Sequence, residues 1–184
     1  MQSPDGTLPF DVSSIRVLRL EESNLPEAAT VIRQSFATVV QTYGLNRQEW
    51  PTHPGFMNID GLVKFYHSRQ MYGLFEGTSM IGYTALSEYN DSTLQLWHLC
   101  ILPHRRGLGL GRLMVDHAKA ETVAYIGHPP TIDSPLLALA FMNVDKGLRS
   151  WFEKQGFIYR GCLNHGRIPY AYGWMEWQEK RTGP

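Results

Sequence analysis

The sequence predicts an α+β fold (α/β in a looser usage), in which helices cover both faces of a mixed, mostly antiparallel twisted sheet. Two apolar segments joined by a short glycine-containing turn predict an antiparallel hairpin over residues 71–87. Two nearly continuous apolar runs, at residues 94–102 and 136–142, predict strands that are covered on both faces. Segments with helical periodicity lie before the hairpin and after each apolar run, which gives the order β-α-α-β-β-β-α-β-α-β-β.

The N-terminal part of the chain is predicted to hold a strand and a long helix. Residues 1–13 contain Pro, Gly and Ser and predict a flexible tail. Imperfect alternation over Ile15–Leu20 predicts the first strand. Asn24, with Glu27 three positions later, resembles a capping box, and apolar residues then recur at helical spacing as far as Gly44.

The middle of the chain is predicted to contain a loop, a second helix and three strands. Residues 46–59 are polar and include Pro51 and Pro54, so they predict the loop, and Asp60 is placed to cap the helix that follows. A turn at Gly77-Thr78-Ser79 separates the first two of these strands. The strands are predicted at Met71–Glu76, Met80–Ser87 and Thr93–Leu102.

The C-terminal part is predicted to contain two helices and three strands. Apolar residues at helical spacing after Leu110 predict a third helix, and Trp151 and Phe152 mark a fourth that ends at Gly156. The strands are predicted at Leu136–Met142, Phe157–Cys162 and Tyr170–Trp177. Loops are predicted around His128-Pro129-Pro130 and Asn164-His165-Gly166.

The composition is that of one ordinary globular domain, which is expected over residues 14–180. The 184 residues include 17 Lys or Arg and 17 Asp or Glu, so no nucleic-acid partner, which would need clustered positive charge, is expected. No apolar run approaches the ~20 residues of a membrane span, and the N-terminus lacks the apolar region of a signal peptide. Two cysteines, Cys100 and Cys162, are too few for a disulfide framework or a zinc site. A cytoplasmic protein without membrane contact or bound metal is therefore predicted, with Cys100 buried.

The most informative segment is Pro103-His104-Arg105-Arg106-Gly107-Leu108-Gly109-Leu110-Gly111, between a predicted strand and a predicted helix. Glycines let backbone N–H groups approach a phosphate because they carry no Cβ, and a helix N-terminus adds roughly half a positive charge. The segment lacks the lysine of the Walker A pattern, and neither glycine register gives the Gly-x-Gly-x-x-Gly of dinucleotide sites. A phosphate-binding loop of another kind is therefore expected, to which Arg105, Arg106 and Arg112 can add charge.

Residues Arg106–Gly111 satisfy the pattern Arg/Gln-x-x-Gly-x-Gly/Ala and closely resemble the pyrophosphate loop of the GCN5-related N-acetyltransferases, the GNAT family. The order of elements is similar to that of the family over almost the whole chain. The resemblance is sharpest over residues 96–114, where Pro103 precedes the loop and Leu113 and Met114 follow it in the helix.

A second segment, residues 145–157, resembles the family pattern Asn-x-x-Ala-x-x-x-Tyr-x-x-x-Gly-Phe and ends in the expected Gly-Phe pair. It departs from the pattern at two positions. Asp145 stands where Asn is usual, although Asn143 lies two residues earlier, and Phe152 stands where a Tyr often serves as general acid.

The resemblance implies a cosubstrate, acetyl-CoA, and direct transfer of its acetyl group to an amine acceptor. It also implies a bulge in the strand that holds Leu99–Leu102, which separates this strand from the one at residues 136–142, so that pantetheine can pair with the exposed backbone as an added strand would. The residues expected to bind the cofactor are Cys100, Ile101, Leu102, Arg106, Gly107, Leu108, Gly109, Leu110, Gly111, Arg112 and Asn143.

Two residues are candidates for the base that takes a proton from the amine. His98 lies on the strand before the loop, and an imidazole with an ordinary pKa near 6.5 suits this task; a core histidine with a satisfied hydrogen bond is the equal alternative. Glu88, at the end of the preceding strand, is the second candidate, and a solvated carboxylate is its alternative. Three tyrosines could replace the missing general acid, although each also suits strand packing: Tyr159, Tyr170 and Tyr172.

The resemblance places the acceptor opposite the CoA, between the first two helices and the last strands. Aromatic residues are dense there and predict either an aromatic-walled pocket or part of the core: Trp50, His53, Phe56, Tyr66, His165, Tyr170, Tyr172 and Trp174. The acceptor is expected to be a small amine or a peptide N-terminus. A non-catalytic acyl-CoA-binding module and a different donor, such as succinyl-CoA, are the alternatives, and a homodimer is compatible with the sequence.

Overall fold

The computed structural model describes residues 14–127, 134–163 and 171–179. Its helices are α1 (Leu25–Tyr43), α2 (Ile59–Tyr66), α3 (Leu110–Ile126) and α4 (Lys146–Lys154). Its strands are β1 (Ile15–Arg19), β2 (Gln70–Glu76), β3 (Ser79–Asn90), β4 (Thr93–Ile101), β5 (Leu137–Met142), β6 (Ile158–Leu163) and β7 (Tyr172–Trp177). The predicted order of elements is confirmed. The tail at 1–13 and the loops expected around Pro129 and His165 lie outside the described residues.

The strands form one sheet in the order β1-β2-β3-β4-β5-β7-β6. The β4–β5 pair is parallel, and the other neighbouring pairs are antiparallel. This arrangement confirms the prediction of a mixed, mostly antiparallel sheet. No helix in the described part of the chain is long and apolar enough to cross a bilayer.

Helices cover both faces of the sheet, as predicted. Consecutive strand residues point to opposite faces, and Met71 and Ala85 join one apolar cluster whereas their neighbours Tyr72 and Leu86 join the other. The first cluster is formed with α1 and α2, together with the first turn of α3. The second cluster is formed with the rest of α3 and with α4.

One predicted helix cap was wrong, and one predicted capping box does not form, although Asn24 is the N-cap residue of α1. Helix α2 is capped by Asn58, whose side chain accepts a hydrogen bond from the Gly61 N–H at 2.9 Å, so Asp60 lies inside the first turn. The box expected from Asn24 and Glu27 does not form, because a 3₁₀ turn precedes α1 and the Asn24 side chain accepts from a backbone N–H at the start of that turn. Glu27 instead accepts a hydrogen bond from a β3 backbone N–H.

Candidate functional site

The parallel strands β4 and β5 separate within the sheet. They pair only along Leu94–Leu96 and Leu137–Leu139, although β4 continues to Ile101 and β5 to Met142. Beyond Leu96, no strand formed by residues 14–127, 134–163 or 171–179 pairs with the edge of β4 that faces β5. The separation implied by the sequence resemblance is therefore confirmed.

A bulge in β4 lies where this separation begins. Between Tyr83 and Ala85 of β3, the register advances by two residues, whereas β4 advances by three, from Cys100 to Trp97. His98 lies in this interval with φ of 51°, the only positive φ outside glycine in the described part of the chain. Both Trp97 and His98 contact residues of the face covered by α1, because the extra residue interrupts the normal alternation of side chains.

The glycine-rich loop presents a row of backbone donors beside the open edge of β4. Gly107 and Gly109 have φ of 80° and 79°, a conformation that favours glycine, and a Cβ at either position would meet open space. From Gly107 to Arg112, the backbone N–H groups donate to no acceptor in the described residues. A loop of free N–H groups at the N-terminus of α3 is suited to bind a diphosphate.

The side chain of Arg106 is used within the protein rather than toward a phosphate. Its Nε donates to the Ile101 carbonyl at 3.0 Å, and its two terminal nitrogens donate to Thr38 Oγ1 at 3.1 Å and to the Ser35 carbonyl at 2.6 Å. The expectation that this guanidinium adds charge at a phosphate is therefore corrected. Arg106 fastens the loop to α1, and only its backbone continues the loop.

Of the three arginines near the loop, Arg112 has the most accessible charge. Arg105 forms an ion pair with Glu76. Arg112 lies 3.5 Å from Asp116, one turn further along α3, and 75% of its side chain is exposed. Arg112 can therefore turn toward a bound anion at small cost.

The three residues at the end of β4 and just after it that were expected to pair with pantetheine do not all face the open edge. The Leu102 N–H donates to the Ile81 carbonyl on β3 at 2.9 Å, and alternation along the ladder gives Cys100 the same direction. The backbone of Ile101 therefore points to the open edge, where its carbonyl accepts from Arg106 and leaves its N–H for a ligand. Cys100 is buried as expected, and burial raises the pKa of its thiol to about 12.

The residues after β5 do not supply a general acid at the family position. Phe152 is buried and contacts Phe157, with ring centroids 5.5 Å apart. Tyr159 Oη donates to Asn143 Oδ1 at 3.0 Å, so Asn143 has one side-chain acceptor already occupied. Among the substitutes, Tyr159 lies on β6 and its hydroxyl reaches Asn143 just after β5, Tyr172 is half-buried, and Tyr170 lies outside the described residues.

His98 is enclosed by aromatic rings on the face covered by α1. Its ring centroid lies 6.4 Å from that of Phe36 and 6.0 Å from that of Trp97. Its Nδ1 is buried without a hydrogen-bond partner among the described residues. Burial, followed by the charges of Arg69 and His53, lowers the pKa of His98 to about 3. The imidazole is therefore neutral at physiological pH; it offers a lone pair but is a weak base.

Tyr83 provides a second buried polar atom in this region. The residue has no exposed surface, and its hydroxyl has no partner in the described part of the chain. Burial raises the pKa of the Tyr83 hydroxyl, and the charge of Arg69 acts in the opposite direction. Because buried polar atoms are nearly always hydrogen-bonded, two unpartnered atoms in one region indicate a place for a ligand or ordered water.

The structure does not bring Glu88 to this region. Glu88 pairs with Leu94 across the ladder, four positions before His98, which places it about 13 Å away along the strand. Its exposed carboxylate accepts a hydrogen bond from Tyr125 on α3. This position favours the alternative of a solvated carboxylate over a second base for the amine.

The predicted aromatic wall is divided between several places. The His53 ring packs edge-on against Phe36, Trp50 and Phe56, and burial lowers the pKa of His53 to about 4. Tyr66 lines a cavity at the end of α2. Trp174 contacts Tyr89, and His165 is outside the described residues.

Sequence reasoning missed Tyr83 and Arg69, which carry the electrostatics of the region around His98. Neither belongs to a recognisable motif. Tyr83 sits in an apolar strand pattern, and Arg69 follows Tyr66 at helical spacing in the second predicted helix. Their roles follow from packing alone. In the described residues, no group of His, Cys, Asp or Glu side chains is arranged to hold a metal ion.

Comparisons with known proteins agree with this geometry. The family model described as the acetyltransferase (GNAT) domain matches residues 67–159. No curated protein sequence matches the chain.

Solved structures share the fold at low sequence identity. The ribosomal-protein-S18-alanine N-acetyltransferase from Escherichia coli is 14% identical, with a TM-score of 0.66 over 92% of this chain and 96% of that one. The PaiA N-acetyltransferase from Thermoplasma acidophilum, in complex with coenzyme A, is 16% identical, with a TM-score of 0.65 over 90% and 99%. A GNAT family acetyltransferase from Elizabethkingia anophelis with acetyl-CoA bound is 9% identical, with a TM-score of 0.63 over 90% and 99%.

The family match covers the hairpin, the bulged strand, the separation of β4 from β5, and the glycine loop with its helix. These are the features that form the candidate site. The chain belongs to the GNAT acetyltransferase family.

Proposed function

We propose that this protein is an N-acetyltransferase that moves an acetyl group from acetyl-CoA to an amine by direct attack within a ternary complex. One observation carries the proposal: the unpartnered N–H groups of Gly107–Arg112 lie at the end of the strand edge that β5 leaves open. An extended ligand with a diphosphate at one end fits both features at once.

The residues fit the parts of acetyl-CoA. The Gly107–Arg112 N–H groups and the Arg112 guanidinium would bind the diphosphate. The Ile101 N–H, on the open edge of β4, would bind the pantetheine arm as a neighbouring strand would. When bound, acetyl-CoA supplies a thioester, whose carbonyl carbon is attacked by the amine while the carbon–sulfur bond breaks and the thiolate leaves.

His98 and Tyr83 are the groups placed to orient the amine. The Nδ1 of His98 is neutral and unpartnered, so it can accept a hydrogen bond from the N–H of an uncharged amine and direct the nitrogen lone pair. Orientation of two bound reactants can contribute ~7–11 kcal/mol, which exceeds what a weak base supplies. His98 is therefore proposed to position the nucleophile, and the displaced proton passes to solvent or to the leaving thiolate.

The direct test is release of CoA thiol from acetyl-CoA in the presence of a panel of amines: alkylamines, polyamines, amino acids and short peptides. Acetylated product should accumulate in the same amount as free thiol. Binding of acetyl-CoA without turnover of any amine would contradict catalysis and favour a non-catalytic acyl-CoA-binding module. Competition between acetyl-CoA and succinyl-CoA in calorimetry tests which of the two acyl donors the protein prefers.

A matched glycine pair tests the loop. Gly109 and Gly44 both have positive φ, 79° and 60°, and open space where a Cβ would lie. Replacement of either by Ala costs about 1–2 kcal/mol in backbone conformation. Only Gly109→Ala should weaken acetyl-CoA binding, by about 10-fold, because its methyl group enters the space that a phosphate approaches.

The readouts are a dissociation constant from calorimetry and a melting temperature for each variant. Equal acetyl-CoA affinity for Gly109→Ala and Gly44→Ala would show that the glycine loop is not part of the cofactor site. Equal thermal destabilisation with unequal affinity is the expected result.

A further inference from the structure

Among the described residues, the Arg69 side chain has no counter-ion. Its guanidinium carbon lies 4.0 Å from the ring centroid of Phe65 and 4.0 Å from that of Trp97. The residue is half-buried. In the described part of the chain, its N–H groups donate to no carbonyl, carboxylate or hydroxyl. A guanidinium stacked between two rings has its donors directed outward in one plane.

Arg69 sits between two features of the acceptor side. On one side, Trp97 is followed in the chain by the bulge residue His98, and the two rings are 6.0 Å apart. On the other side, Arg69 lines a cavity of about 800 Å³ at the end of α2. The residues around this cavity come from α2, α3 and the ends of β1 to β4.

The charges of the cavity favour an anion. Its lining includes two arginines, Arg19 and Arg69, and one carboxylate, Glu88. Glu88 accepts a hydrogen bond from Tyr125, which also lines the cavity. Among the described residues, no carboxylate that lines the cavity forms an ion pair with Arg69, and His67 adds a further polar group to the lining.

We propose that the acceptor of the acetyl group carries a carboxylate, which Arg69 binds in a bidentate pair while the amine end reaches the bulge at His98. A planar guanidinium matches the two oxygens of a carboxylate, and Phe65 and Trp97 already hold that plane. This inference rests on the proposed acetyltransferase function. It narrows the acceptor from amines in general to amino acids, or peptides with an acidic side chain near the N-terminus.

Pairs of amines that differ only in the carboxylate test the proposal. The probes are 4-aminobutanoate and 6-aminohexanoate against n-butylamine and n-hexylamine, with phosphoethanolamine against ethylamine as a phosphate pair. The wild-type kcat/KM should be about 10- to 100-fold higher for the better carboxylate probe than for its alkylamine twin, as expected for a charge-assisted pair.

Variants at Arg69 should remove the preference. Arg69→Gln should bring the two members of a pair within about 2-fold of each other, and Arg69→Lys should retain part of the difference because it keeps the charge but not the planar fork. Lys64→Gln is the control, since Lys64 is an exposed cation on α2 outside the cavity lining. It should leave the ratio unchanged. Thermal melting of each variant checks that the protein is folded.

The outcomes separate the two proposals. Equal turnover of amino acids and alkylamines by the wild type, or an unchanged ratio in Arg69→Gln, overturns the carboxylate while leaving the acetyltransferase in place. Preference for phosphoethanolamine over both carboxylate probes would mean that Arg69 binds a phosphate, and this result also overturns the carboxylate proposal. Turnover of no amine overturns both. Calorimetry of the product 4-acetamidobutanoate against N-butylacetamide gives a readout independent of catalysis, and loss of the tighter binding in Arg69→Gln is expected.

Discussion

The proposed cofactor side and the proposed acceptor side of this protein use different kinds of binding group. On the cofactor side, the binding groups are backbone N–H groups, held by glycine conformations at Gly107 and Gly109 and by the separation of β4 from β5. On the acceptor side, the groups are the side chains of buried Tyr83 and of half-buried His98 and Arg69, with few partners in the described residues. One side is specified by backbone shape and the other by side-chain packing.

This difference separates two kinds of constraint on the sequence. A backbone site needs glycines at fixed positions, and its arginines can then serve the fold, as Arg106 does. A side-chain site leaves polar atoms buried without partners, each of which costs about 1–3 kcal/mol. We therefore expect substitutions that remove polar atoms on the acceptor side to raise stability and to lower activity. Substitutions on the cofactor side should change the affinity for acetyl-CoA or lower stability, without raising either activity or stability.

The largest effect should be a loss of folding stability at low pH, caused by His53 and His98 on the acceptor side. Burial lowers the pKa of His53 and of His98 from 6.5 to about 4 and about 3. The unfolded chain takes up protons first as the pH falls, so stability present above pH 6.5 is lost as the pH approaches these lower values. We expect the free energy of unfolding to fall by about 2 to 4 kcal/mol between pH 6.5 and pH 4, as measured by urea denaturation.

His98→Asn isolates this contribution. Asn does not titrate in this range and tolerates the positive φ of 51° at this position better than most residues. The variant should lose less stability on acidification than the wild type, whereas His104→Asn, at an exposed histidine, should follow the wild-type curve. Parallel curves for the wild type and His98→Asn would show that His98 is not buried in its neutral form.

A comparison of two arginines sharpens the description of the cofactor side. Arg106→Ala removes three hydrogen bonds that join the loop to α1 and to β4, and it should lower the free energy of unfolding by about 2 kcal/mol. Arg112→Ala removes an exposed charge, so stability should change by less than about 0.5 kcal/mol. Acetyl-CoA affinity should still fall by about 5-fold, since a positive charge near a diphosphate is lost.

Denaturation and calorimetry on both variants give the two quantities independently. An Arg106→Ala protein with wild-type stability would contradict the structural role of this side chain. An Arg112→Ala protein with wild-type acetyl-CoA affinity would show that Arg112 does not contribute to binding and that the loop binds the diphosphate through backbone N–H groups alone.

The sequence predicts the cofactor side far better than the acceptor side, for a physical reason. Gly107 and Gly109 adopt a positive φ, a conformation that favours glycine, so their spacing is visible in one sequence. The bulge at His98 and the stacking of Arg69 on Trp97 depend on which strand and helix lie beside them, and no local pattern encodes that. Glu88 illustrates the limit: the strand that holds it was predicted, but the strand continues to Asn90, and no local pattern encodes the distance of Glu88 from the bulge.

The smallest effect should be the most specific for the acceptor side. Tyr83→Phe removes a buried hydroxyl that has no partner in the described residues, so stability should stay the same or rise by up to about 1 kcal/mol. Tyr72→Phe is the matched control on the opposite face, because Tyr72 Oη donates to Glu121 at 2.8 Å and its loss should lower stability by about 1 kcal/mol. If the Tyr83 hydroxyl helps to orient the acceptor, kcat should fall in Tyr83→Phe and not in Tyr72→Phe. A Tyr83→Phe protein that loses stability, or that keeps the full kcat, would mean that this hydroxyl belongs to the core and that His98 alone faces the amine.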